Sequence, residues 1–293
     1  MGGGEQIDLS KPVLLQPASQ IRYRASGGGR RGGGPEYPQT ALAIDYLLPE
    51  GFSGPLSLEI TDAKGRVVST AAPAPARGGG AGRGRGGDAP DQDMRFIGRG
   101  RGGGASGLAV RSGHNRFMWN YRWANGGPLA APGKYSAKLT AGAEAQSKTF
   151  EVVVDPGVLK DGVTVADLVE QQDFLLALRE TMADAAVTRQ RLEAAMKQAG
   201  VQPPPSPGAG ESTSQQLAAL AKSTEPAAKL QALWARMVTA RGTYEQPMLL
   251  DQFNSINRVE SGADQKVGAE SRRRYDDLVA ELKAIQAELA RIQ

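Results

Sequence analysis

Cysteine is missing from all 293 residues, which removes disulfide staples, thiolate nucleophiles and cysteine-ligated metals from consideration. Histidine occurs once, as His114, so this chain alone cannot assemble the imidazole clusters that most zinc enzymes use. Aromatic side chains are few, six Phe, three Trp and seven Tyr against 38 Gly and 18 Pro, so much of the chain cannot be dense core. No stretch approaches the roughly 20 apolar residues that span a bilayer. The opening MGGGEQIDLSKPVLLQP has no basic start followed by an apolar run and does not read as a signal peptide. A cytoplasmic protein and a processed piece of an exported one both fit that opening. A single-sign charge excess is also absent. The 35 Lys and Arg face 31 Asp and Glu, for a net charge of +4, and that near balance does not imply a polyanionic partner.

What is present falls into two parts. The length allows two domains with ordinary cores. Up to about Pro156 the apolar residues recur with period two, punctuated by Gly, Pro and Asp; beyond Thr164 the period is helical. The expected organisation is a flexible N-terminus over 1–11, a β-sandwich over 12–156, a connector over 157–163 and a helical bundle over 164–293.

In the first part, Val13 to Leu15 form a short strand between Pro12 and Pro17. Leu42, Ile44 and Tyr46 alternate with Ala43, Asp45 and Leu47. Leu56, Leu58 and Ile60 alternate with Ser57, Glu59 and Thr61, and Asp62-Ala63-Lys64-Gly65 then turns the chain into Arg66-Val67-Val68 as a hairpin. Phe117, Trp119 and Tyr121 define another strand, Tyr135, Ala137 and Leu139 a further one after Pro132-Gly133, and Phe150, Val152 and Val154 a last one before Asp155-Pro156. Six or seven short strands with such turns predict an antiparallel sandwich of immunoglobulin or fibronectin type with its aromatics between the sheets. Two segments interrupt this pattern, GGGRRGGG within 26–35 and the Arg/Gly-rich run over 77–104. Their composition buries too little apolar area to offset chain entropy, so mobile loops between strands are expected.

The second part opens at Val163-Thr164, with Thr164 as helix N-cap and Asp167 as its acidic partner. The helix that follows is expected to reach about Ala199. Leu168, Leu175, Met182 and Met196 recur at multiples of seven, interleaved with Leu178, Ala185 and Leu192, a bundle or coiled-coil seam broken only by Arg189. Gly200 and the prolines 203–207 end it. Helical pattern resumes near Ser212 through Leu217, Leu220, Ala227, Leu230, Trp234, Met237 and Val238, with a fresh turn or kink at Pro226. A short helical face follows through Met248, Leu249, Phe253, Ile256 and Val259. In the last helix Tyr275, Leu282 and Leu289 pair with Leu278, Ile285 and Ile292 in a second seam. Three or four antiparallel segments accommodate both seams.

The stretches Gly113 to Arg122 and Gly127 to Leu139 resemble the last strands of flagellar-hook-capping immunoglobulin-like domains. Over roughly residues 8–292, the order of elements resembles the C-terminal region of large secreted BNR-repeat proteins described as sialidase-like or sortilin-like glycosyl hydrolases. The Val152 to Pro156 exit, the Asp167 to Phe174 helix start and the Tyr244 to Leu249 segment carry that likeness. It implies an extracellular or envelope-associated protein whose sialidase-like chemistry would belong to upstream β-propellers. The propeller's Asp-box, Ser-x-Asp-x-Gly-x-x-Trp, is absent here, so no propeller site transfers to this chain, and the Arg/Gly insertions depart from the short loops of such domains.

Each candidate functional residue also has a purely structural reading. Arg77, Arg83, Arg85, Arg99 and Arg101 on a glycine backbone are able to reach phosphates and stack on bases. Asp88, Asp91 and Asp93 interrupt the run, and only Phe96 adds an aromatic, which favours a solvated loop over nucleic-acid binding. No GxxxxGK[ST] occurs. His114 has no nucleophile beside it in sequence, so a hydrogen-bonding role at a turn or strand edge is expected. Trp119, Tyr121 and Trp123 share one strand face and offer a sugar-stacking platform, but their period of two favours core, with Trp123 the most exposed. Asp155 and Asp161 offer oxygen ligands for Ca²⁺ without any EF-hand spacing. Arg189 is expected to pair or snorkel, and Glu180 and Asp184 to lie on a wet helix face. The expectation is therefore a non-catalytic structural or protein-interaction module needing no cofactor or metal. Its partner would be a protein or a second copy, with a carbohydrate or envelope polymer as the alternative. A glycosyl-hydrolase accessory and an Arg/Gly-mediated nucleic-acid binder are the competing readings.

Overall fold

The computed structural model describes residues 8–24, 40–73, 107–205, 213–240 and 246–292. The chain divides into two compact units, Met1–Val165 and Ala166–Gln293. Most of the expected N-terminal segment and both Arg/Gly-rich insertions lie outside the described residues.

Among the described residues the first unit holds eight strands: β1 (Val13–Leu14), β2 (Gln20–Arg22), β3 (Leu42–Leu48), β4 (Leu56–Asp62), β5 (Val67–Ala71), β6 (Gly113–Trp119), β7 (Gly133–Ala141) and β8 (Glu144–Val154). They form a three-stranded sheet in the order β1-β3-β6 and a five-stranded sheet in the order β2-β8-β7-β4-β5. Alternation decides which side chains are hidden, because successive residues of a strand point to opposite faces. Leu42, Ile44, Tyr46 and Leu48 of β3 are buried, as are Leu56, Leu58 and Ile60 of β4 and Tyr135, Ala137 and Leu139 of β7. The two inner faces meet at Trp119 of β6, whose ring lies 5.3 Å from Tyr135 and 6.0 Å from Phe150 in the other sheet. Each large apolar side chain buried this way stabilises the unit by about 1.5–3 kcal/mol. Gln146 of β8 ties the sheets together at an edge, accepting from Leu14 N at 2.8 Å and donating to Pro12 O at 2.7 Å.

The β4–β5 turn is closed by Asp62. Its carboxylate accepts from Lys64 N and Arg66 N at 3.0 and 2.8 Å, while Gly65 takes a φ of +75° that a side chain would resist. Two features depart from the sequence reading. The sheets are not wholly antiparallel, since β2 pairs in parallel with β8, Gln20 opposite Val152 through Arg22 opposite Val154. Three residues with no clear alternation, and Ile21 42% exposed, leave such a strand invisible to a period-two search. The expected connector 157–163 also contains a short helix, α1 (Pro156–Lys160), started by Asp155, whose carboxylate accepts from Gly157 N at 2.8 Å.

The second unit contains α2 (Val165–Gln198), α3 (Thr213–Ala221), α4 (Pro226–Met237), α5 (Leu249–Glu260) and α6 (Ala269–Ile292). α2 has 34 residues, about 51 Å at 1.5 Å per residue. Phe174, Leu175, Leu178, Ala185, Leu192 and Met196 of α2 share one core with Leu230, Leu233 and Met237 of α4, with Leu249, Phe253 and Ile256 of α5, and with Leu278, Leu282, Ile285 and Leu289 of α6. Met182 and Tyr275 are half-buried against it, and Leu168 is buried at the start of α2. Val259 departs from the expected α5 face and is 57% exposed.

Polar contacts give the helix directions. Glu170 pairs with Arg272, Thr181 with the Tyr275 hydroxyl at 2.8 Å, and Gln286 donates to Thr188 at 2.9 Å, so α2 and α6 advance the same way. The return path is α4, with Arg236 against Glu288 at 2.9 Å, continued by α5, with Arg274 donating to Gln252 at 2.7 Å. The α5–α6 loop is fastened by Gln171, whose amide donates to Glu260 O and Ala263 O at 2.7 and 2.8 Å.

Candidate binding groove

Helix breakage opens an apolar surface in the second unit. The apolar pattern carries Leu217 and Leu220 on toward Leu230 and Trp234, with a fresh turn or kink expected at Pro226. The helix does stop after Ala221 and restart at Pro226, which occupies the first turn of α4 where its missing N–H costs nothing. The break re-aims α3. Leu217 and Leu220 are half-buried and line a groove of about 560 Å³ whose other apolar walls are Ala218, Ala232 and Ile292. That volume lies within the range of ordinary ligand sites.

The groove's rim is basic. Lys229 and Arg236 of α4 and Arg291 of α6 line it with one carboxylate, Glu288. Arg236 is held between Glu288 at 2.9 Å and Glu281 at 3.8 Å, whereas Lys229 and Arg291 have no carboxylate partner among the described residues. This local sign runs against its surroundings, because Asp and Glu outnumber Lys and Arg over residues 166–293. Sequence reading missed these side chains because nothing in their spacing marks them. The only usable signal was Pro226.

The residues singled out from sequence lie elsewhere. Trp119 is 1% exposed, packed at tilted and edge-on angles among Tyr121, Tyr135 and Phe150, and its indole N–H donates to Arg122 O at 3.2 Å. Tyr121 is equally buried; burial pushes its phenol up to about 12, and its backbone takes a left-handed φ of 57°. Trp123, expected to be the most exposed of the three, is so at 9% but is still buried, and the Arg66 guanidinium lies 5.0 Å from its ring centre. These three aromatics are core and present no stacking platform to solvent. Arg83, Arg85, Arg99 and Arg101 lie outside the described residues.

His114 lies on β6, with its Nε2 3.2 Å from Asp45, and Arg116 grips the same carboxylate through Nε at 2.7 Å and Nη2 at 3.0 Å. The Arg116 bond, more than any other contact, holds the Asp45 carboxyl below its ordinary range. Tyr46 donates to Ala109 O at 2.7 Å, and burial pushes its phenol up to about 12. Asp155 is engaged in capping α1, Arg189 is half-buried, and Glu180 and Asp184 are exposed. Among the described residues, no three acidic or imidazole side chains gather as a metal site would require, and no helix is long and apolar enough to cross a membrane.

No protein-family profile and no curated protein matches the chain. Among solved structures, a chimeric titin Z1Z2 tandem bearing a fibronectin peptide is similar at 18% identity over 50% of each chain, with a TM-score of 0.24. The titin Z1Z2 domains in complex with telethonin align at 13% identity over 51% of this chain and 50% of that one, with a TM-score of 0.24. A chimeric titin Z1Z2 carrying a decorin peptide aligns at 14% identity over 49% of this chain and 93% of that one, with a TM-score of 0.23. The match thus spans about half the length of the first two. Likenesses this low carry no weight for function, and the architecture rests on the sheets and helices themselves.

Proposed function

We propose that this chain is a non-catalytic protein-interaction module, in which the helical unit docks a partner and the β unit, an immunoglobulin- or fibronectin-type sandwich, serves as spacer. One observation carries the reading: Leu217 and Leu220 sit on a helix turned out of the bundle core and leave an open apolar groove with a basic rim. Apolar side chains kept half-exposed in a concave surface lose stabilisation unless something covers them. The extracellular or envelope placement implied by the resemblance to BNR-repeat proteins belongs to the same proposal.

A photo-crosslinking residue at Ala218, compared with one on the exposed face of α6 at Asp276, tests it. The expected result in the native source is one identified partner protein, captured from position 218 and lost when Leu220→Asp is added. Equal capture from both positions, or capture indifferent to Leu220→Asp, sinks it.

A further inference from the structure

We infer that the groove's partner is an acidic amphipathic helix of another protein, its apolar residues set against Leu217, Leu220 and Ile292 and its carboxylates beside Lys229 and Arg291. The inference rests on the docking role proposed for this groove and adds the chemistry of the occupant. Three features of the groove support that choice.

The floor comes first. Leu217 and Leu220 stand three apart on α3, so they share one helix face, and Ile292 of α6 lines the same groove. A helix laid along such a floor presents apolar side chains at i, i+3 or i+4 and i+7, the standard match for a groove between helices. The rim comes second. Arg236 is already neutralised by Glu288 and Glu281, but Lys229 and Arg291 are exposed, line the groove and have no carboxylate partner among the described residues. Cations flanking an apolar floor favour acidic partners and penalise basic ones, and they do so despite the net acidic character of residues 166–293. The third feature is α3 itself. With nine residues it is too short to be a stable helix in isolation, so an added helix packing on its free face would stabilise it together with the complex.

The test uses the full chain and a fluorescein-labelled helical peptide of about 16 residues, roughly 24 Å long, with leucines every third or fourth position and glutamates between. Versions with glutamine or lysine in place of glutamate serve as comparisons, and binding is read by anisotropy. The glutamate peptide is expected to bind about tenfold more tightly than the glutamine peptide, as two rim ion pairs provide, and the lysine peptide more weakly still. The advantage should shrink with added salt. Combined Lys229→Glu and Arg291→Glu substitutions, both at exposed positions, should reverse the order while leaving the melting temperature of the helical unit nearly unchanged.

Equal binding of all three peptides, abolished by Leu220→Asp, would overturn the acidic partner and leave the docking groove standing. Absence of binding by any peptide, or binding that Leu220→Asp does not alter, would overturn both. Tighter groove binding by dodecanoate than by the glutamate peptide would overturn the proposal in favour of a small anionic amphiphile.

Discussion

The β unit and the helical unit treat their reactive-looking side chains in opposite ways. In the β unit the aromatics with the chemistry to meet a ligand, Trp119, Tyr121 and Trp123, point inward, and the outward polar cluster satisfies itself, with Asp45 shared by Arg116 and His114. In the helical unit two leucines and two cations face a common groove with no such internal answer. The difference follows from geometry. A strand assigns each residue to one face or the other and cannot be re-aimed without slipping a register, whereas stopping and restarting a helix rotates a whole face toward solvent.

The contrast predicts its own largest effect. Trp119→Ala removes the ring that joins the two sheets and should destabilise the β unit by about 3–5 kcal/mol, read from chemical denaturation followed by circular dichroism. A loss below about 1 kcal/mol would mean that the sheets do not depend on this contact. In the helical unit, Gln171 is a buried polar side chain that is internally answered. Gln171→Ala leaves the carbonyls of Glu260 and Ala263 without their donor and should cost about 1–3 kcal/mol, with hydrogen exchange quickening across 260–268.

The Asp45 cluster gives a smaller, pH-dependent effect. Its carboxyl is held below the ordinary value in the folded state, so its contribution is fully present above the unfolded carboxylate range and is lost as pH falls through the folded value. The pair is partly exposed, which limits the contribution to about 1 kcal/mol or less. Asp45→Asn should therefore flatten the acid limb of the stability curve while changing little once the carboxyl is protonated in the folded state too; an unchanged acid limb would remove the ion pair's role. The smallest expected change is Leu220→Asp, within about 0.5 kcal/mol of the parent. A larger loss would show that Leu220 belongs to the core after all, and would erase the distinction between the two units.

Much of the architecture was legible because apolar periodicity and burial are the same information. Leu42, Ile44 and Tyr46, or Leu278, Leu282 and Ile285, declare their buried face by spacing alone. β2 was not legible, since three residues cannot display a period and the parallel partner lies far along the chain. Trp123 follows the end of β6, where alternation is a weaker guide; it is the most exposed of the three aromatics yet still buried, with Arg66, distant in sequence, beside its ring. The groove was legible only at Pro226. Leu217 and Leu220 have the right period for a core, and only the break over 222–225 decides that they are not part of it. Lys229 and Arg291 acquire meaning solely from proximity in space.

After β5 and before β6, two residues far apart in sequence meet at almost one point. Pro73 bridges Leu108 in parallel, Leu108 N donates to Ala72 O at 3.0 Å, and Leu108 itself is buried. Pro73 and Leu108 are thus a joint of the β core in their own right, and the entropy of closing a chain between two such points rises only with the logarithm of its length. Breaking this joint, by replacing the buried Leu108 with a charged residue, would loosen the end of β5 and the approach to β6 together.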